Sequence, residues 1–122
     1  MNGTLASTLA PAAEGRGLHP NELDLKRIER SLRQRRRYRY VTPEVRPVRG
    51  GYAIVSPCCS RNIDPEGGVI DIALLEFQDR VGCWRLYRKD HRAGRWVEHG
   101  EYRALAPILE LLNEDPHRQF WQ

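Results

Sequence analysis

The sequence predicts an α+β fold, with one antiparallel sheet of about five strands and a helix at each end of the body. Three observations lead there. Apolar residues recur with helical spacing at Leu25, Ile28 and Leu32, and again at Leu105, Ile108, Leu109 and Leu112. Between these stretches lie short segments that are apolar, β-branched or alternating in polarity, separated by Gly, Pro, Asn and Asp. Neither an internal repeat nor a long linker divides the 122 residues, which suffice for one modest core.

Residues 1–18 are small and polar, punctuated by Gly and Pro, and are expected to form a disordered leader ahead of a single domain over 19–122. Asn21 is a good helix N-cap, and Glu22 and Asp24 put negative charge on the first turn, where the helix dipole favours it. The first helix is predicted to run to about Arg36. From Tyr38 the texture changes to strand, but Pro43 and Pro47 cannot donate to a ladder, so this strand is predicted to be an edge or to break. Gly50-Gly51 reads as a hairpin turn before a strand over Tyr52–Ser56. A loop over Pro57–Gly68 follows, and the apolar run Val69–Phe77 is the predicted central strand. Val81–Arg88 alternates, with Val81, Cys83, Arg85 and Tyr87 on one face and Trp84, Leu86 and Arg88 on the other. After a turn at Lys89–Gly94, Arg95–His99 is the fifth strand. A second helix spans about Leu105–Asn113, with Pro107 tolerated in its first turn. Phe120 and Trp121 are expected to pack back onto the sheet. A sheet of this size can also curl toward a small Sm- or SH3-like barrel.

Charge is concentrated rather than spread. Lys26 to Arg39 holds eight of the twenty basic residues, seven of them Arg, with one acid, Glu29. That segment nets +7 against +4 for the whole chain, so the remainder nets −3. Lys26, Arg30, Arg33 and Arg37 recur at i, i+4, i+7 and i+11, which would place them in a row beside the apolar stripe. Arg suits the bidentate geometry of phosphate, and tyrosines can stack on unpaired bases. The expected nucleic-acid-binding set is therefore Lys26, Arg30, Arg33, Arg36, Arg37, Tyr38, Arg39 and Tyr40, with Arg35 beside them. Arg88 and Arg92 of the 84–96 hairpin would join if it lies alongside. RNA or DNA is then the partner. The competing readings are a solvated helix face paired to acids such as Asp71, Glu76 or Asp79, and a protein-interaction module or homodimer. That dimer would pair through the edge strand around Tyr38–Val48 or recognise an acidic partner.

Other chemistry finds little footing. Cys58, Cys59, Cys83, His91 and His99 are metal-ligand types without metal-ligand spacing. No nucleophile elbow, P-loop or glycine-rich dinucleotide loop is present. The expectation is a non-enzymatic protein with no metal and no cofactor. Cys83 is read as a buried strand residue. An odd cysteine count with two adjacent cysteines does not suit a secreted disulfide framework, and no apolar run reaches membrane-helix length. A cytoplasmic protein, not a membrane one, is expected.

The Trp- and Arg-rich text of Trp84–His99, the terminal Asn113–Gln122 and the Arg27-Ile28-Glu29 element resemble a family of small bacterial proteins that is known only as a domain of unknown function. The resemblance spans roughly residues 25–122. It implies a bacterial, intracellular protein and carries no catalytic residues. The order of one helix and then five strands is also similar to that of Sm-like RNA-binding barrels. Asn62 and Asp64 do not reproduce the paired Asp/Asn turn of that family, so the similarity is one of topology only.

Overall fold

A computed structural model describes residues 18–57 and 68–122. The expected leader lies outside the described residues except for Leu18, and so do Cys58 and Cys59 with most of the 57–68 loop. The elements run α1 (Glu22–Leu32), β1 (Glu44–Val48), β2 (Gly51–Pro57), β3 (Val69–Gln78), β4 (Cys83–Asp90), β5 (Arg95–Tyr102) and α2 (Leu105–Glu114). The five strands form one antiparallel meander in sequence order, with β3 at its centre. The sheet is open: its edges, β1 and β5, do not pair with each other, so it does not close into a barrel.

One face of the sheet carries the core. Tyr52, Ile54, Ile72, Leu75, Trp84 and Leu86 are fully buried and pack with Ile28 and Leu32 of α1 and Leu105, Ile108 and Leu112 of α2. The opposite face is tied by polar pairs instead. Arg85 contacts Glu101 at 2.9 Å and Glu98 at 3.6 Å, and these carboxylates raise its already high pKa. Lys89 meets Asp71 at 3.0 Å, and Tyr87 Oη donates to Glu76 at 3.0 Å. Cys83 falls on this partly exposed face rather than in the core, because the alternation of β4 sends its neighbour Trp84 inward. The β1–β2 turn needs glycine twice. Gly50 has φ +79, and a Cβ on Gly51 would sit 1.8 Å from the Leu75 carbonyl oxygen.

The start of α1 is fixed by Asn21, whose Oδ1 accepts the Asp24 N–H at 2.8 Å, while its own N–H donates to the Tyr52 hydroxyl at 3.0 Å. The helix ends at Leu32, four residues earlier than its charge pattern predicts. Arg33, Gln34 and Arg35 each donate N–H to the carbonyl three residues back, a tightened last turn. The Arg36 N–H then donates to the Asn113 carbonyl at 2.9 Å, which commits the chain to the end of α2. Residues 38–42 accordingly form turns, and the edge strand begins only at Glu44.

α2 ends on Asp115, a left-handed residue with φ 36. Its buried carboxylate accepts N–H groups from Gln119 at 2.8 Å, Phe120 at 3.2 Å and Trp121 at 2.9 Å, which turns the tail back on itself. Phe120 meets His99 of β5 with ring centroids 5.0 Å apart. Trp121 is fully buried in the same core cluster as the inner sheet residues. Its indole N–H donates to the Leu112 carbonyl at 2.7 Å, and its ring packs against Tyr38 and the Arg35 guanidinium.

His99 is held below its ordinary pKa first by burial and second by Arg88, with Asp115 opposing. The folded state thus binds this proton more weakly than the unfolded chain, so the stabilisation is complete above about pH 6.5 and is lost as pH falls through the lower folded value. The urea midpoint is expected to drop between neutral and mildly acidic pH, and to drop less in His99→Gln. Equal drops in both proteins would show that His99 does not carry this dependence.

Candidate nucleic-acid interface

The early end of α1 splits the basic segment in two. Lys26 and Arg30 are exposed along α1, and Arg33, the C-cap, continues their row. Lys26 is within 3.5 Å of Glu29 across an exposed pair, a contact of small net value. Arg36 and Arg37 leave that row. The Arg36 Nε lies 2.7 Å from a Glu114 carboxylate oxygen. The Arg37 Nε donates to the Asp115 carbonyl at 3.0 Å and stands 3.8 Å from its carboxylate. The i+11 position of Arg37 therefore has no meaning as a helical row, and the acids these arginines meet are on α2, not the sheet.

Arg35 is 6% exposed and structural in its contacts. Its Nη1 donates to the Leu32 carbonyl at 2.8 Å, and its Nη2 to the carbonyls of Tyr38, at 2.7 Å, and Val41. Tyr38 is half-buried against the core with φ 58, so its ring is engaged by Trp121 rather than offered as a stacking platform. Tyr40, by contrast, is 100% exposed.

The turn after Arg35 brings together what sequence order separates. A cleft of about 480 Å³ lies between the end of α1 and the segment leading into β1, lined by Glu29, Arg33, Arg35, Arg39, Thr42 and Val45 among others. Arg33 and Arg39 are exposed on it, and no described acid forms an ion pair with either of them or with Arg30. Glu29 and Thr42 were not legible as members of a site, because only the turn places them there. Periodicity could not have shown it.

The hairpin contributes a separate cationic patch. Arg92 is exposed in the β4–β5 turn, while Arg88 is half-buried on the side of His99. Register puts this turn at the same end of the sheet as Glu44, through Glu44–Val55, Val55–Asp71 and Ala73–Arg88. Three strand spacings separate β1 from β4, roughly 14 Å, so the hairpin tip stands apart from the cleft across the sheet. Among the described residues no group of three or more His, Cys, Asp or Glu side chains gathers as a metal site, and no helix is long and apolar enough to cross a membrane.

A family model described as a domain of unknown function (DUF3024) matches residues 17–122, and the chain belongs to that family. Neither the curated proteins nor the solved structures contain a match to it.

The two tyrosines of the segment are expected to behave oppositely on substitution. Tyr38→Ala should lower the unfolding free energy by about 2–3 kcal/mol through lost packing, and Tyr40→Ala should leave it within about 0.5 kcal/mol. Chemical denaturation of the two variants checks this. Comparable losses would contradict the assignment of Tyr38 to the core and Tyr40 to the surface.

Proposed function

We propose that this member of the DUF3024 family is a small non-enzymatic binding protein for nucleic acid, RNA or DNA, acting in the cytoplasm of a bacterium. The observation that carries the reading is the cleft at the end of α1. Two exposed arginines without described acidic partners, Arg33 and Arg39, line it, Arg30 extends them along the helix, and Tyr40 projects fully into solvent next to Arg39. Cations that hold a backbone beside an exposed ring that can stack on a base are the elements of single-strand recognition. Lys26 adds to the row, while Arg36 and Arg37 contribute field more than contact, since both are tied to α2. Arg92 is a secondary contact for a longer strand.

The strand-edge reading has weaker support. β1 offers an edge of five residues with Pro47 inside it, and short edges and proline are features that discourage pairing with another chain. A homodimer through the edge of β5, eight residues long, is the form of that alternative the fold would accommodate.

Fluorescence anisotropy with labelled single-stranded RNA and with duplex DNA tests the proposal. About three phosphate contacts imply a salt slope near −2 on single strands, hence an affinity loss of roughly twentyfold between about 50 and 200 mM salt. Single strands should bind more tightly than duplex, and Arg30→Gln/Arg33→Gln/Arg39→Gln should abolish binding in a protein that stays folded. Absence of binding at low salt, or binding untouched by the triple substitution, would overturn the reading.

A further inference from the structure

Among the cations of the cleft, Arg35 is unlike the other two. It is 6% exposed, and while its terminal nitrogens are taken by backbone carbonyls, its Nε is buried with no hydrogen-bond partner among the described residues. A buried, charged N–H without an acceptor costs free energy of a size that proteins seldom leave unrecovered. This donor belongs to a side chain lining the same cleft as exposed Arg33 and Arg39. The carboxylate on the cleft, Glu29, is within 3.5 Å of Lys26. Three arginines against one acid leave a charge of +2 on the lining. The Arg35 guanidinium is held below its ordinary pKa by burial first and by the charge of Arg39 second.

We infer that the cleft is a seat for a phosphomonoester dianion, with Arg33 and Arg39 as its clamp and the buried charge of the Arg35 guanidinium behind them. The inference deepens the nucleic-acid reading and rests on it for the source of the phosphate. The strand would be engaged at a phosphorylated end. Geometry favours an end over an internal position. The cleft is backed by Leu32 and Val45, which are 1% and 4% exposed and give it an apolar floor. An internal phosphodiester must leave in two directions and carries one charge. A terminal phosphate can enter end-on and carries close to two, which answers the +2 of the lining. Inorganic phosphate presents the same chemistry without a strand.

The experiment has two arms, both on the full chain. In the first, inorganic phosphate is titrated while the side-chain Nε–H resonance of Arg35 is followed by 15N NMR. In the second, single-stranded oligonucleotides with and without terminal phosphate are compared by anisotropy, with native protein and with Arg39→Gln, a substitution at an exposed position. The inference expects a saturable shift of the Arg35 resonance at millimolar phosphate. It also expects phosphorylated strands to bind about tenfold more tightly than hydroxyl-ended ones, a preference that Arg39→Gln removes. If both strands bind equally and phosphate leaves Arg35 unmoved, the phosphate seat is overturned while nucleic-acid binding stands. If phosphate shifts Arg35 saturably but neither strand binds, the seat stands for a small phosphate compound and the nucleic-acid reading falls.

Discussion

Two helices end side by side in this protein, and most of its unusual chemistry answers that arrangement. The last carbonyls of a helix lack partners within it and form the negative end of its dipole. Here two such ends meet, with the buried carboxylate of Asp115 and the exposed one of Glu114 added to them. Five of the carbonyls there accept from named donors. Ser31 O accepts from Asn113 Nδ2, Leu32 O from Arg35, Asn113 O from the Arg36 N–H, Leu112 O from the Trp121 indole, and Asp115 O from Arg37. Asp115 in turn folds the tail by collecting three backbone N–H groups, charge-assisted bonds of about 1.5–3 kcal/mol each. Arg35 then ties the turn after α1 to its own helix and stacks on Trp121.

This constraint divides the cationic segment by role. The arginines at 35 and 37 are consumed in closing the helix ends, and Arg36 supports them from the surface. The arginines at 30, 33 and 39 form no ion pair with a described acid, and Arg39 makes only a long contact, its Nη1 donating to the Arg35 carbonyl at 3.4 Å. Because the chain must turn sharply to reach Asn113 and then turn again before β1, Arg39 comes back beside Arg33, and a cleft opens between them. The surface proposed for binding is thus a by-product of how α1 terminates. The same turns half-bury Tyr38 against the core and expose Tyr40, two residues apart in sequence.

Much of the fold was legible from local pattern. The apolar stripes of both helices, the N-cap at Asn21, the glycine turn at Gly50-Gly51, the central position of Val69–Phe77 and the alternation of β4 all follow from side-chain period and turn chemistry. What failed was the extension of the cationic row beyond Arg33 to Arg37. Lys26, Arg30, Arg33 and Arg37 fit a row as text, but arginine is as good at satisfying helix ends as at extending a helix, and periodicity does not distinguish the two. The deciding partners, Asn113 and Asp115, lie about eighty residues away. The burial of Arg35 was hidden for the same reason, since its acceptors are carbonyls of a turn that local propensity assigned to helix and strand.

The division of the basic segment into a structural and a free group is the central claim, and the unfolding free energy of two multiple variants tests it most directly. In Arg35→Gln/Arg37→Gln, denaturation should show a loss of more than about 3 kcal/mol, as buried acceptors and Asp115 lose their donors. In Arg30→Gln/Arg33→Gln/Arg39→Gln, stability should stay within about 0.5 kcal/mol of the native protein. Similar losses in both, or a loss confined to the second, would contradict it.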